Sequence, residues 1–178
     1  MRLTLNDFGP GRHYHVFNRG NSRQVVFRDA ADRQFFLAKL DEVCERFSLT
    51  LLAYCLMDNH YHLAMRQDSW ASIPKAMQAL GTSYSQMYNR KYGALGPLFQ
   101  SRFCAVSVAD EGQMANLTRY IHRNPEPFKD FRKYRWSSYR QFVGDSTGIA
   151  TPGPVLDTFA GSKTYYAMFC EKAPLLKS

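Results

Sequence analysis

The sequence predicts an α+β fold: a ferredoxin-like split βαβ arrangement whose antiparallel sheet carries helices on one face, plus one added helix. Three observations carry this expectation. Four short segments alternate apolar and polar residues or run continuously apolar, as strands do, and three longer ones repeat apolar residues at the helical period. These segments follow one another as β-α-β-β-α-β-α. Between them lie turn-forming clusters, among them Asn18-Arg19-Gly20-Asn21, Asp58-Asn59 and Gly93-Ala94-Leu95-Gly96-Pro97.

Each element has a local cause. His13 to Arg19 reads as the first strand, with Tyr14 and Val16 facing one way and His15 and Phe17 the other. Asp29 is placed to cap a helix running to about Phe47, with Phe36, Leu40, Val43 and Phe47 on one face. Leu49 to Met57 is a largely apolar strand, Asp58-Asn59 a tight hairpin turn, and His60 to Gln67 the returning strand. From Ser72 to Lys91, Ile73, Met77, Leu80, Tyr84 and Met87 recur at helical spacing. Arg102 to Val108 reads as the fourth strand. Asp110 followed by Gln113 resembles a capping box that opens a third helix, which Pro125 ends. Beyond Ser138 the pattern weakens: Gly144 to Pro154 reads as a linker and Lys163 to Glu171 as a short helix. The expected organisation is a main domain over residues 1–143, with 144–178 a tail belonging to the same unit.

With 178 residues, 45% of them hydrophobic and 15% aromatic, the chain can bury a core of its own. A formal charge of +8 and a pI near 9.4 point to an anionic partner, with nucleic acid and an acidic membrane surface the main candidates. No stretch is long and apolar enough to cross a bilayer, and the N-terminus lacks the apolar run of a signal peptide. The four cysteines, Cys44, Cys55, Cys104 and Cys170, are dispersed without metal or redox spacing. Buried free thiols in a cytoplasmic protein are the expectation.

His60 and His62 stand two apart on a strand, so both project from one face and are placed to bind one cation, while Tyr61 points away. His13 and His15 share the spacing; for them, ordinary sheet histidines or contacts to phosphate are the better readings. Tyr120 and Asn124, four apart on the third helix, share a face and offer a nucleophile and an amide oxygen. His122 points elsewhere. Most helical tyrosines pack their ring and hydrogen-bond their hydroxyl, and that reading stands beside the first. Two imidazoles and an amide oxygen leave an open coordination sphere suited to Mg²⁺ or Mn²⁺ completed by substrate phosphate, with zinc the alternative. At such a site Tyr120 would attack a DNA phosphodiester and form a phosphotyrosine. No Gly-rich phosphate loop of the ATP-binding kind is present.

Six short motifs occur in one order: Tyr14-His15-Val16 with Asn18-Arg19-Gly20; Met57-x-Asn59-His60-x-His62-Leu63; Asn89-Arg90-Lys91-Tyr92-Gly93; Leu98-Phe99-Gln100-x-Arg102-Phe103; Tyr120-Ile121-His122-x-Asn124-Pro125; and Trp136-Ser137-Ser138-Tyr139. In these the chain resembles the HUH single-tyrosine transposases, most closely the REP-associated tyrosine transposase branch. The resemblance runs from about Arg12 to Tyr139. It implies an HUH endonuclease fold and cleavage of single-stranded DNA, with the metal on His60, His62 and Asn124 and with Tyr120 as nucleophile. It further implies transposition or strand transfer on imperfect-palindrome hairpins, by a monomer or a homodimer. Two positions depart from the branch. Asp58 stands where many relatives have proline, and Glu126-Pro127-Phe128-Lys129 replaces Val-Arg-Ala-Gly after Pro125.

Arg19, Arg23, Arg90, Lys91, Arg102, Arg119 and Arg123 flank the proposed site in sequence and are the expected DNA contacts. Tyr88, Tyr92 and Phe99 are interleaved for stacking on unpaired bases, with Tyr84 a core residue by its spacing; Lys129 to Arg140, dense in basic and aromatic residues, is an expected hairpin-stem contact. Two other classes of function fit the same residues. One is a domesticated protein that binds hairpin DNA with little or no turnover. The other is a zinc hydrolase that uses the histidine pair and has no need of Tyr120.

Overall fold

The computed structural model describes residues 7–70, 73–144 and 146–172. Strands β1 (His13–Arg19), β2 (Leu49–Met57), β3 (His60–Gln67) and β4 (Cys104–Val108) form one antiparallel sheet in the order β2-β3-β1-β4. Helices α1 (Ala30–Arg46) and α2 (Ile73–Tyr92) connect the strands as a split βαβ unit requires, and α3 (Glu111–Arg123) is the added helix. The expected start of α2 at Ser72 lies outside the described residues. The first three strands begin and end where the sequence places them. The fourth is shorter, because Asn18 Nδ2 donates to the carbonyls of Ser101 and Arg102, each at 2.9 Å, and the ladder with β1 begins only at Cys104.

Alternation along the strands sends Tyr14, Val16, Leu63 and Met65 to one face, where they bury against Phe36 and Leu40 of α1 and Leu80 and Tyr84 of α2. A capping box starts α1: Asp29 accepts from the Asp32 amide at 2.9 Å, and the Asp32 carboxylate accepts from the Asp29 amide at 3.4 Å. Lys91, in the last turn of α2, stands 2.7 Å from each of these carboxylates and ties the two helices together. One turn along α1, Arg33 reaches the Asp58 carboxylate in the β2–β3 turn. The turn gains further support from the loop after β1. The amides of Val26 and Phe27 donate to the Asp58 carbonyl at 2.8 and 3.0 Å, and the Gly20 amide donates to the Asn59 carbonyl at 2.8 Å. A Cβ on Gly20 would stand 2.2 Å from the Gln24 carbonyl oxygen, so the loop closes this tightly only around a glycine.

The opposite face of the sheet holds a second core. Ala53, Cys55, Met57 and Ala64 meet Met114 and Ile121 of α3, then Tyr139, Phe142, Val155, Leu156 and Tyr166 from the C-terminal region. That region forms α4 (Tyr139–Val143), α5 (Gly153–Leu156) and α6 (Lys163–Glu171). The short helix expected at 163–171 is α6. Helices α4 and α5 stand where the sequence shows no helical period, because one turn is too short to display one. The segment before α4 covers the edge of β2: the Leu56 amide donates to the Trp136 carbonyl at 2.9 Å, and the Ser138 amide to the Tyr54 carbonyl at 3.0 Å. The aromatics of the 129–140 run therefore build the fold, with Phe131, Tyr134 and Tyr139 all buried.

Two adjacent residues fasten α3 to this second layer. His122 is fully buried, its Nδ1 2.7 Å from the Tyr166 hydroxyl and its Nε2 2.8 Å from the Ser138 hydroxyl. Arg123 donates to the Cys170 carbonyl at 2.7 Å and grips Glu126 through two nitrogens at 2.9 and 2.6 Å.

Candidate active site

The site lies on the α3 side of the sheet, at the end where β3 begins. Because strand neighbours alternate, Tyr61 buries among Phe36 and Phe99 on the far face, and His60 and His62 turn towards α3. The β1–β3 register sets Arg19 opposite His60 and Phe17 opposite His62, with the same face carrying His15 opposite Ala64. α3 lays Tyr120 over this surface, its ring centroid 5.3 Å from that of His62 and 6.0 Å from that of His15. One turn further on, Asn124 Oδ1 stands 2.8 Å from His60 Nε2. All four expected catalytic and metal residues meet, and one chain supplies them all.

The donor set fits a hard or borderline divalent cation. Both ring nitrogens of His60 face amide oxygens, Asn59 Oδ1 at 2.7 Å and Asn124 Oδ1 at 2.8 Å. A neutral imidazole has one N–H and can satisfy only one of them. With the proton on Nδ1 and donated to Asn59, the Nε2 lone pair and the Asn124 oxygen converge as two acceptors. Their separation is close to the ~3 Å edge of an octahedron with Mg²⁺-like ligand distances. Among the described residues no three His, Cys, Asp or Glu side chains gather to hold an ion. The candidate ligands are thus two imidazoles and an amide, leaving positions for water or phosphate.

Burial keeps the imidazoles neutral. It pushes the His15 pKa down to about 4 and the His122 pKa to about 3. Burial also lowers His13, His60 and, well below its usual value, His62. These are all five histidines of the chain. Each takes up a proton near pH 6.5 in the unfolded chain and only at lower pH when folded. The unfolded state therefore binds more protons below pH 6.5, and stability is lost as pH falls from there towards 4. For His122 alone the loss by pH 4 is roughly 3 kcal/mol. Thermal melts should hold level from pH 8 to 7 and move steadily down below 6.5; a flat midpoint to pH 4 would contradict buried neutral histidines.

Tyr120 is half-buried, and burial raises its phenol pKa, while the charge of Arg19 and the Asn124 side chain act in the opposite direction. The phenol is protonated at neutral pH and must lose its proton to become a nucleophile.

The seven basic residues divide. Arg19 ends β1 beside His60. Arg23 lies in the loop whose carbonyl accepts from Asn59 Nδ2 at 3.4 Å, and Arg102 lies where Asn18 draws the 101–102 backbone against β1. All three are exposed, and Arg19 stands opposite His60 across the β1–β3 ladder. The structure does not bring the other four to the site as free cations. Arg90 projects from α2 on the far face of the sheet, and Lys91 is held by Asp29 and Asp32. Arg119 stacks on Phe169 of α6, 4.1 Å from the ring centroid, and Arg123 is the buried anchor described above. The Arg123-x-x-Glu126 spacing was the available signal for the last pairing. Tyr84 and Tyr88 are buried under α2, so neither offers a stacking face. Two residues of the site, read in the sequence as a turn residue and as a sheet histidine or phosphate contact, hydrogen-bond the candidate ligands. Asn59 bonds His60, and His15 bonds His62, its Nε2 2.9 Å from His62 Nδ1.

A family model described as "Transposase IS200 like" matches residues 10–124, more than half of the chain, and the protein belongs to that family. Its fold is shared with a REP-associated tyrosine transposase solved bound to a REP hairpin, at a TM-score of 0.63 and 15% identity, over 87% of this chain and 90% of that one. A putative transposase from Deinococcus radiodurans R1 matches over 62% of this chain and 88% of its own, with 21% identity and a TM-score of 0.45. No curated protein matches the sequence significantly. Among the described residues no helix is long and apolar enough to cross a membrane.

Proposed function

We propose that the protein cleaves and rejoins single-stranded DNA through a covalent phosphotyrosine, acting on REP-like hairpins with Mg²⁺ or Mn²⁺ as cofactor. The supporting observation is the meeting of Tyr120, His60, His62 and Asn124 on one sheet face. The Tyr120 oxygen attacks phosphorus, and the bond from phosphorus to the bridging oxygen of the leaving strand breaks. The phenol proton ends on that oxygen, which departs as a hydroxyl. The phosphodiester energy stays in the tyrosyl link, so a hydroxyl from another strand reverses the step and frees Tyr120 without a nucleotide cofactor.

His60, His62 and Asn124 hold the cation, which when bound polarises a phosphoryl oxygen and offsets the charge that develops there. Arg19 contacts the phosphate, and its charge eases departure of the phenol proton. The His62 ring orients the phenol. The hairpin as substrate rests on the resemblance in sequence and on the hairpin bound by the solved protein of like fold.

The test is incubation with a labelled single-stranded hairpin and Mn²⁺, followed by denaturing electrophoresis. An SDS-resistant protein–DNA adduct is expected. Binding without an adduct would indicate a hairpin-binding protein, and cleavage without one a hydrolase; either overturns the reading.

Affinity for the hairpin should also depend on salt. If Arg19, Arg23 and Arg102 each neutralise a phosphate, the log–log slope is about −2, and raising salt from 50 to 200 mM weakens binding roughly 20-fold. Arg19→Ala should make the slope shallower by about 0.7. A slope near zero would remove this surface as the docking face.

A further inference from the structure

We infer that His15 is a positioning residue for the metal site: it accepts a hydrogen bond from His62 Nδ1–H and so fixes the tautomer that leaves His62 Nε2 free to bind the cation. The inference rests on the metal reading above and assigns a new role on that same site.

Three observations carry it. His15 Nε2 and His62 Nδ1 are 2.9 Å apart, a hydrogen-bond distance, with the two ring planes 28° apart and 5.1 Å between centroids. The contact joins neighbouring strands: His15 sits opposite Ala64, one strand step from His62, so it is fixed by the β1–β3 ladder rather than by a mobile loop. Finally, His15 is not placed as a further ligand, since no three histidine, cysteine or acidic side chains gather around one point among the described residues.

The two possible directions of this hydrogen bond have opposite consequences. A neutral imidazole carries one donor and one acceptor. If His15 donated, His62 would hold its proton on Nε2, the nitrogen that a metal needs bare. If His62 donates from Nδ1, His15 keeps its own proton on Nδ1 and His62 Nε2 presents a lone pair. His60 shows the same division of labour, with Asn59 Oδ1 at its Nδ1 and Asn124 at its Nε2. Where Nε2 and the Asn124 oxygen serve as ligands, the His60 proton stands on Nδ1 and Asn59 accepts it; His15 would do for His62 what Asn59 does there. Metal-bound histidines generally donate their second nitrogen to such a partner, whose loss costs 10–100-fold in affinity.

Two variants and two measurements test this. His15→Leu removes the acceptor with little change in volume. His15→Gln restores an acceptor oxygen near the position of Nε2. Mn²⁺ alone is titrated into each protein and free Mn²⁺ is followed by electron paramagnetic resonance, with circular dichroism to verify folding. His15→Leu should bind Mn²⁺ 10–100-fold more weakly, and His15→Gln should recover to within about threefold of the starting affinity. In the metal-free protein, long-range ¹H–¹⁵N correlations should show His62 protonated on Nδ1 in the unaltered chain and in His15→Gln, with Nε2–H gaining population in His15→Leu. Equal Mn²⁺ affinity in His15→Leu, or His62 protonated on Nε2 in the unaltered protein, overturns the inference while leaving the metal site standing. Absence of Mn²⁺ binding by the unaltered protein, equal to that of His60→Ala, overturns the metal reading itself.

Discussion

Tyr120→Phe should form no covalent adduct with hairpin DNA at any Mn²⁺ concentration, while binding that DNA within about twofold of the unaltered protein. The substitution removes one oxygen. It leaves the ring that packs against His62 and His15 and touches none of Arg19, Arg23 or Arg102. Half-buried at the edge of α3, the phenol supplies no core hydrogen bond of the kind His122 makes, so the thermal midpoint should move little. The loss in adduct formation is total, because the phenol oxygen is the atom that forms the covalent link. Tyr61, which stands between the two histidines in sequence, is buried on the opposite face of the sheet. An adduct that persists in Tyr120→Phe would place the nucleophile elsewhere. A loss of DNA binding equal to the loss of adduct would make Tyr120 a docking residue.

How much of this was legible in the sequence depends on the distance over which each cause acts. The apolar run of β2 and the Asp58-Asn59 turn fix β2 and β3 locally, and both ends of each strand fall where those signals place them. The same locality puts His60 and His62 on one face and Tyr120 and Asn124 on another. Bringing those two faces together needed the tertiary fold, and the ordered motifs supplied it through resemblance. Charge is less legible. Lys91 looks like a free cation in the sequence because its partners, Asp29 and Asp32, are remote in the chain; Arg123 has its ionic partner Glu126 three residues away, and only its second acceptor, the Cys170 carbonyl on α6, is remote. Glu126, a departure from the related pattern, is explained by the guanidinium it grips. Asp58 is likewise explained by Arg33. His15 shows the limit most plainly. Its spacing from His13 matches that of His60 and His62, and only the register of β1 on β3 sets one pair member against the site and leaves the other at the far end of the strand, opposite Arg66.

His60→Ala should lower the rate of adduct formation by at least a thousandfold and abolish Mn²⁺ binding, with the fold intact. The size follows from the role. Charge stabilisation at a phosphoryl oxygen is worth several kcal/mol, and about 4 kcal/mol corresponds to three orders of magnitude in rate. His60 is partly exposed at the first position of β3, so truncating it opens no sealed cavity, and the freed Asn124 amide can be hydrated. The substitution gains meaning in a series. Asn124→Ala removes a neutral oxygen ligand and should cost less than His60→Ala, because the two imidazoles remain. Asn59→Ala removes only the group that orients His60 and should cost 10–100-fold. The expected ranking of defects is therefore His60, then Asn124, then Asn59, with Mn²⁺ affinity falling in parallel with the rate. If the rate falls in His60→Ala while Mn²⁺ affinity is unchanged, the histidine acts on the phosphate or the phenol directly and the cation is held elsewhere. If Asn59→Ala is as damaging as His60→Ala and also shifts the melting temperature, the β2–β3 turn itself is failing. In that case the loop contacts from Gly20, Val26 and Phe27, rather than ligand chemistry, set the activity.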